Sequence, residues 1–288
     1  MTTIDVNGAT IYYEEHGAGE PLVLLHGGLI SSASWEPELP YLTGEFRVIT
    51  PDTRGHGRST NPSGKLTYPQ LADDVAALIG ELGLDRPIVG GYSDGGQIAL
   101  ELGVRHPEAA RALIVAAAHP DANASATIEA TAALLGSDDP NAPDIEHVEA
   151  FLGGFAEMIK SWHTGGEPQW RTLVQLTAPM WLAYAGLTED EVRRIEVPVL
   201  LFTGDRDEMV PLDMTLSLYR ALPNAELAVA PGADHAGPIL PDRAEVFAVA
   251  IRDFARRHAQ AGQLPRAGST TPGFSRQQAL RSSGHRSV

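Results

Sequence analysis

Pro87-Ile88-Val89-Gly90-Gly91-Tyr92-Ser93-Asp94-Gly95-Gly96-Gln97-Ile98-Ala99-Leu100 is a short apolar run that ends in two glycines, carries one serine and passes into a helix-forming segment. Read as Gly-x-Ser-x-Gly, Gly91, Ser93 and Gly95 form a strand-to-helix turn of the nucleophile-elbow type. Such a turn strains the serine backbone, so the residues two before and two after must be nearly free of side chain. Ser93 Oγ is then expected at the carboxyl edge of a sheet. The first N–H groups of the next helix aim at the same space, where they can hold a developing oxyanion. The pattern also occurs as a plain glycine-rich turn, so its meaning rests on what surrounds it.

Working outward, strand-like runs alternate with helical ones. Upstream lie Thr3–Val6 and Ala9–Glu14, with Asn7-Gly8 between them as a hairpin signal. Pro21–Leu25 runs into His26-Gly27-Gly28, and Arg47–Thr50 runs into Pro51-Asp52-Thr53-Arg54-Gly55-His56-Gly57-Arg58-Ser59. Tyr68–Leu82 has helical spacing, with Gly83 as its stop. Downstream, Ala112–Ala117, Val197–Thr203 and Ala225–Ala230 read as strands, Met214–Leu222 and Asp242–His258 as helices. Strands that are apolar throughout, alternating with amphipathic helices, predict an α/β fold whose parallel sheet is covered on both faces. Ligands gather at the carboxyl ends of such strands, where these glycine-rich loops fall.

The alternation stops between about Asp121 and Glu196. Here only helical stretches appear (Ala126–Leu135, Ile145–Ser161, Trp170–Ala185 and Glu189–Ile195), together with Trp162, Trp170 and Trp181. This predicts a helical cap over 121–195 inserted into a core made of 1–120 and 196–258. The competing arrangement has these helices continue the layers that flank the sheet. Residues 259–288 are rich in Gly, Ser, Pro, Gln and Arg with few apolar anchors, which predicts a disordered basic tail.

Composition sets the outer limits. The formal charge is −16, and the four arginines of 259–288 leave the body near −20 (−16 − 4), which disfavours nucleic acid and anionic membranes as partners. Such an acidic body suits solubility and could also favour cationic substrates. No run approaches the roughly 18 apolar residues of a membrane span. The N-terminal residues lack the pattern of a signal peptide, so a cytoplasmic protein, monomer or homodimer, is expected. With no cysteine there are no disulfides, thiol nucleophiles or thiolate metal sites.

A serine nucleophile needs a base, a group that orients the base, and oxyanion donors. His235 is the one histidine that follows a late strand through a glycine-containing loop, and its ordinary pKa suits a general base. Asp205 and Asp207 both lie at a strand end between serine and histidine. Asp207 is preferred because a carboxylate needs a few residues past the strand to turn back, whereas Asp205 is expected to cap its own turn. The oxyanion donors are expected to be the N–H groups of Asp94 and Gly28, with Leu29 the alternative to Gly28 by one register. His26 and His56 are read as residues that fix loops. Leu29, Trp35, Trp162, Met180 and Trp181 are candidates for substrate contacts. No metal or other cofactor is called for.

At this point the chain resembles the α/β-hydrolase fold superfamily over residues 3 to about 258. The resemblance rests on His26-Gly27-Gly28, Asp52-x-Arg54-Gly55-His56-Gly57-x-Ser59, Gly91-Tyr92-Ser93-Asp94-Gly95-Gly96, Gly204-x-x-Asp207-x-x-Val210-Pro211 and Gly232-x-x-His235. It implies a mostly parallel eight-stranded sheet, a cap after the sixth strand, and a cofactor-free Ser-His-Asp hydrolase with Ser93, Asp207 and His235 in that chain order. Relatives that open epoxides or remove halide carry aspartate where this chain has Ser93, so those chemistries are disfavoured. The Ser93-Asp94-Gly95-Gly96 elbow is similar to that of valacyclovir-hydrolase-like esterases, which implies that Asp94 could offer its carboxylate to a substrate amine. The alternative has Asp94 cap its helix and face away. The expected reaction is acyl transfer from a small-molecule carboxylester, lactone or thioester to water. The same residues also serve C–C bond hydrolysis and perhydrolysis. A hydrolase-derived receptor with little turnover is the alternative from a different class.

Overall fold

A computed structural model describes residues 2–120, 125–237 and 242–259. From 260 onward the expected basic tail lies outside the described residues. Eight strands form one sheet: β1 (Thr2–Val6), β2 (Ala9–His16), β3 (Glu20–Leu25), β4 (Phe46–Pro51), β5 (Ile88–Tyr92), β6 (Ala112–Ala116), β7 (Val199–Gly204) and β8 (Ala225–Ala230). Their order is β1-β2-β4-β3-β5-β6-β7-β8. β1 and β2 pair antiparallel with each other, and β2 pairs antiparallel with β4. Every pairing from β4 through β3, β5, β6 and β7 to β8 is parallel.

The local reasons are visible in the chain. Asn7 and Gly8 both take positive φ, as a two-residue turn with the right twist for a hairpin demands, so Val6 pairs with Ala9. Leu22–Leu25, Ile88, Val89 and Ala112–Val115 are buried, as expected of strands covered on both faces.

The helices are α1 (Leu39–Leu42), α2 (Tyr68–Glu81), α3 (Asp94–Arg105), α4 (Ser125–Leu135), α5 (Ile145–Leu152), α6 (Ala156–Ser161), α7 (Gly166–Ala183), α8 (Glu189–Val192), α9 (Leu212–Ala221) and α10 (Ala244–Arg257). Thr67 caps α2 by accepting from Gln70 N–H, and Gly83 ends it at φ 60°. α2 and α3 pack together on one side of the sheet, with α3 against β3, β5 and β6. On the other side, Phe247 of α10 packs against Trp35 and Phe202.

Between β6 and β7 the described residues hold α4 to α8 and no strand. The single helix expected over Ile145–Ser161 is broken in two. Gly153 takes φ 54°, a left-handed conformation that an α-helix cannot pass through, and a 3-10 turn over Gly153–Phe155 joins the halves.

Candidate active site

The elbow forms where β5 meets α3. Ser93 is held at φ 53° and ψ −117°, and its N–H donates to Ala116 O on β6 at 2.8 Å. The flanking glycines are obligatory. A Cβ on Gly91 would stand 2.1 Å from the Gly95 carbonyl carbon, and one on Gly95 would stand 2.2 Å from Leu25 O. Both obstacles are backbone, so neither can step aside.

The three residues expected to act together are brought together from three strand ends. Ser93 Oγ lies 3.1 Å from His235 Nε2, and His235 Nδ1 lies 3.0 Å from both oxygens of Asp207. The carboxylate accepts from Nδ1–H, which leaves Nε2 as the acceptor for the serine hydroxyl. Asp207 is fixed in turn, since its Oδ1 also accepts from the N–H groups of Met209 and Val210 at 3.0 and 2.8 Å. Its side chain is fully buried, while that of His235 is 18% exposed on the cavity side. Asp205 does not cap its own turn. Its Oδ1 accepts from Gly232 N–H in the loop that carries His235, because β7 and β8 are parallel neighbours and their following loops run side by side.

The side chain of Asp94 turns toward neighbouring elements. Tyr68 Oη donates to Oδ1 at 2.7 Å, and Trp181 Nε1 lies 2.9 and 3.0 Å from the two oxygens. Burial raises the carboxyl pKa, and the two donors oppose that rise. Tyr68 also packs edge-on against Tyr184, whose hydroxyl accepts from Gln97 Nε2 and donates to Glu101. The elbow helix is thereby tied to α7 and to the start of α2.

Gly28 lies against this same carboxylate. A Cβ there would meet Asp94 Oδ2 and Trp181 Cζ2, each at 2.5 Å. The next residue, Leu29, is at φ 62°, and its carbonyl accepts from His163 Nε2 at 3.0 Å. His163 Nδ1 accepts from Gly57 N–H at 2.9 Å, so this neutral ring bridges two loops of the core. His26 and His56 hold loops as expected. His26 Nε2 accepts from Thr53 N–H, and His56 Nδ1 lies 3.1 Å from Arg54 O. Burial depresses all three histidines, His26 to about 4, so they are neutral at pH 7.

A cavity of about 1030 Å³ opens above Ser93. Of the substrate-contact candidates, Leu29, Trp162 and Trp181 line it. Trp35 does not, and this corrects the expectation. It is fully buried with its ring 5.9 Å from that of Phe247, where a large apolar ring fills the space under α10. Met180 is likewise buried in the core beside Trp181. Adjacent helical residues project about 100° apart, so one of the pair faces the cavity and the other the core. The sequence reading missed His163, Tyr68 and Tyr184. No motif marks them, because their positions at the site are set by how α2 and the β6–β7 insertion pack.

Among the described residues no group of three His, Asp or Glu side chains could hold a metal ion, and no helix is long and apolar enough to cross a membrane. The model of the alpha/beta hydrolase family matches residues 22–250. Over 243 residues the chain is 28% identical to the 2-(acetamidomethylene)succinate hydrolase of Mesorhizobium japonicum, covering 81% of this chain and 87% of that one. It is also 28% identical over 262 residues to a non-heme haloperoxidase of Rhodococcus erythropolis, covering 80% and 90%. Among solved structures, a thermophilic esterase from Thermogutta terrifontis superposes with a TM-score of 0.73 at 24% identity, covering 90% of this chain and 98% of that one. This last likeness is one of fold.

Proposed function

This chain belongs to the alpha/beta hydrolase family, and from that premise we propose that it is a serine hydrolase of small-molecule carboxylesters or related acyl bonds, lactones and thioesters among them. The observation that carries the reading is the hydrogen-bonded line from Ser93 Oγ through His235 to a buried Asp207, at 3.1 and 3.0 Å, in the wall of a large cavity.

In the proposed cycle His235 Nε2 takes the proton of Ser93 Oγ as that oxygen attacks the acyl carbon. Asp207 keeps the imidazole in the correct tautomer and stabilises its charged form. The N–H groups of Asp94 and Gly28 receive the oxyanion, with Leu29 the alternative to Gly28. His235 then protonates the leaving group, and afterwards deprotonates the water that releases the acid. The helices of 121–195 serve in this reading as a cap over the acyl pocket, with Trp162 and Trp181 facing the substrate. A substrate amine, if there is one, would share the Asp94 carboxylate with the two donors that already bind it.

The test is a fluorophosphonate probe on wild type, Ser93→Ala and His235→Ala, read by intact mass, beside turnover of p-nitrophenyl acetate. One adduct on wild type, absent from Ser93→Ala, with repeated turnover, is the expected result. A folded wild type that neither labels nor turns over would leave a ligand-binding protein as the better account.

Likeness to a protein named as a haloperoxidase favours one second reading. If hydrogen peroxide replaces water in the second half, the acyl-enzyme yields a peroxy acid, which oxidises halide in solution. Bromide oxidation that needs acetate, peroxide and Ser93 together would support it.

A further inference from the structure

The Ser–His–Asp line says nothing about what the acyl group or its alcohol looks like, but the cavity walls are unequal. The charged lining residues other than Asp94, namely Glu36, Arg206, Glu208 and Asp234, all come from loops that follow core strands. The β6–β7 insertion supplies no charged lining residue and is mostly apolar, with Thr127, Thr131 and Tyr184 among its members. Leu134 and Ile159 are buried at 7% and 6% exposure, and Leu152 and Trp162 carry this wall outward. It ends at Phe151, Phe155 and Met158, which are 58%, 55% and 43% exposed and line the same cavity. Phe151 and Phe155 are the two most exposed large apolar side chains among the described residues.

Scattered exposed apolar residues are ordinary, but three together on the rim of one cavity are not. Leaving them in water forgoes the burial free energy that such side chains normally gain. An acetyl group bonded to Ser93 Oγ adds only two carbons and leaves most of the cavity unfilled. The volume, about 1030 Å³, is at the upper end of what small-molecule sites use. A flexible chain rising from the acyl carbon along the insertion would cover the wall from Ile159 to Phe155 and leave the polar leaving group against the charged side.

We propose that the substrate carries an unbranched aliphatic chain of medium length, seated on the insertion between Ile159 and Leu134 and passing out between Phe151, Phe155 and Met158. This rests on the serine-hydrolase reading for its chemistry and on the wall alone for its binding. The occupant is the substrate's own chain, because Phe151, Phe155 and Met158 line the same cavity as Ser93.

The test uses p-nitrophenyl esters from acetate to decanoate, each kept below its solubility limit. Each methylene that lands on the wall should raise kcat/KM about fourfold, mainly through KM. Phe151→Ser with Phe155→Ser should lower kcat/KM for the decanoate at least tenfold and leave the acetate unchanged. Calorimetry of 1-octanol and 1-butanol with Ser93→Ala measures the same wall without chemistry. Octanol should bind at least tenfold more tightly, and Phe151→Ser with Phe155→Ser should narrow that difference severalfold, since Leu134 and Ile159 remain.

Acetate turnover through Ser93 with kcat/KM flat or falling along the series, and equal binding of the two alcohols, would overturn the chain site and leave the hydrolase standing. Octanol preference that depends on Phe151 and Phe155 in a protein without ester turnover would do the reverse. A jump in rate only above the solubility limit of the ester would also overturn the proposal, since the rim would then be meeting an interface instead of a chain.

Discussion

Glu38, at the start of α1, offers a test of how burial acts in this fold away from the cavity. It is fully buried, and neither carboxylate oxygen has a hydrogen-bond partner. Burial, which disfavours the charged form and outweighs the opposing pull of the residue's own backbone N–H, pushes its pKa from the ordinary 4.5 up to about 8. The folded protein therefore holds a proton that the unfolded chain releases. The sign follows from that. The contribution of Glu38 is best below pH 4.5 and is lost as pH rises from 4.5 to 8, because the unfolded state gains an ionised carboxylate that the folded state cannot match. The slope is ~1.4 kcal/mol per pH unit between the two values and tapers near each of them, so the loss over that window comes to about 4 kcal/mol. Glu38→Gln keeps the shape and removes the proton. Urea unfolding of both proteins at pH 5, 6, 7 and 8 should give similar stabilities at pH 5. By pH 8 the variant should be the more stable by about 3 to 4 kcal/mol. All other titrating groups are common to the two proteins, so the difference isolates Glu38. Parallel pH profiles would refute the reasoning and mean that the carboxyl finds water or a partner.

Three further outcomes follow from the geometry. Asp207→Asn should keep the fold and lower kcat about 10⁴-fold, since the amide turns the His235 tautomer the wrong way; steady-state kinetics on p-nitrophenyl acetate decides it. Asp74→Asn should cost 3 to 5 kcal/mol in urea unfolding, because Arg54 is buried and bonded to both Asp74 oxygens at 2.7 and 2.8 Å, and the change leaves that guanidinium uncompensated. His163→Phe removes the donor to Leu29 O and the acceptor of Gly57 N–H, so the loop that carries Gly28 loses its brace. The kcat for the acetate ester should fall about 10- to 100-fold with KM nearly unchanged. An equal fall in kcat/KM through KM alone would show that His163 acts only on binding.

The sheet, the elbow and the residues of the Ser–His–Asp line were legible along the chain because each is written locally. A fully apolar strand, a turn that only glycine can make and a short loop after a strand end occupy a few consecutive positions, and parallel strands place their loops at one edge. Residues 93, 207 and 235 converge because β5, β7 and β8 are members of one parallel sheet. Asp207 could be chosen over Asp205 from loop length alone, whereas the Asp205–Gly232 contact could not be foreseen, since it depends on two loops lying side by side.

What only the tertiary structure decided is which side chains of the inserted helices face the cavity. Helical periodicity says that Met180 and Trp181 diverge, but not which of them meets Asp94. Trp35 and Trp181 are alike as residues, and one fills the core against Phe247 while the other donates to the Asp94 carboxylate beside Ser93. His163 sits more than a hundred residues from both loops it braces, and no spacing rule links them. Backbone geometry is set largely by neighbours in the chain, so sequence alone determined the strands and the edge at which their loops gather. Packing of the insertion is set by contacts between distant segments, so the walls of the site appeared only when the chain was folded.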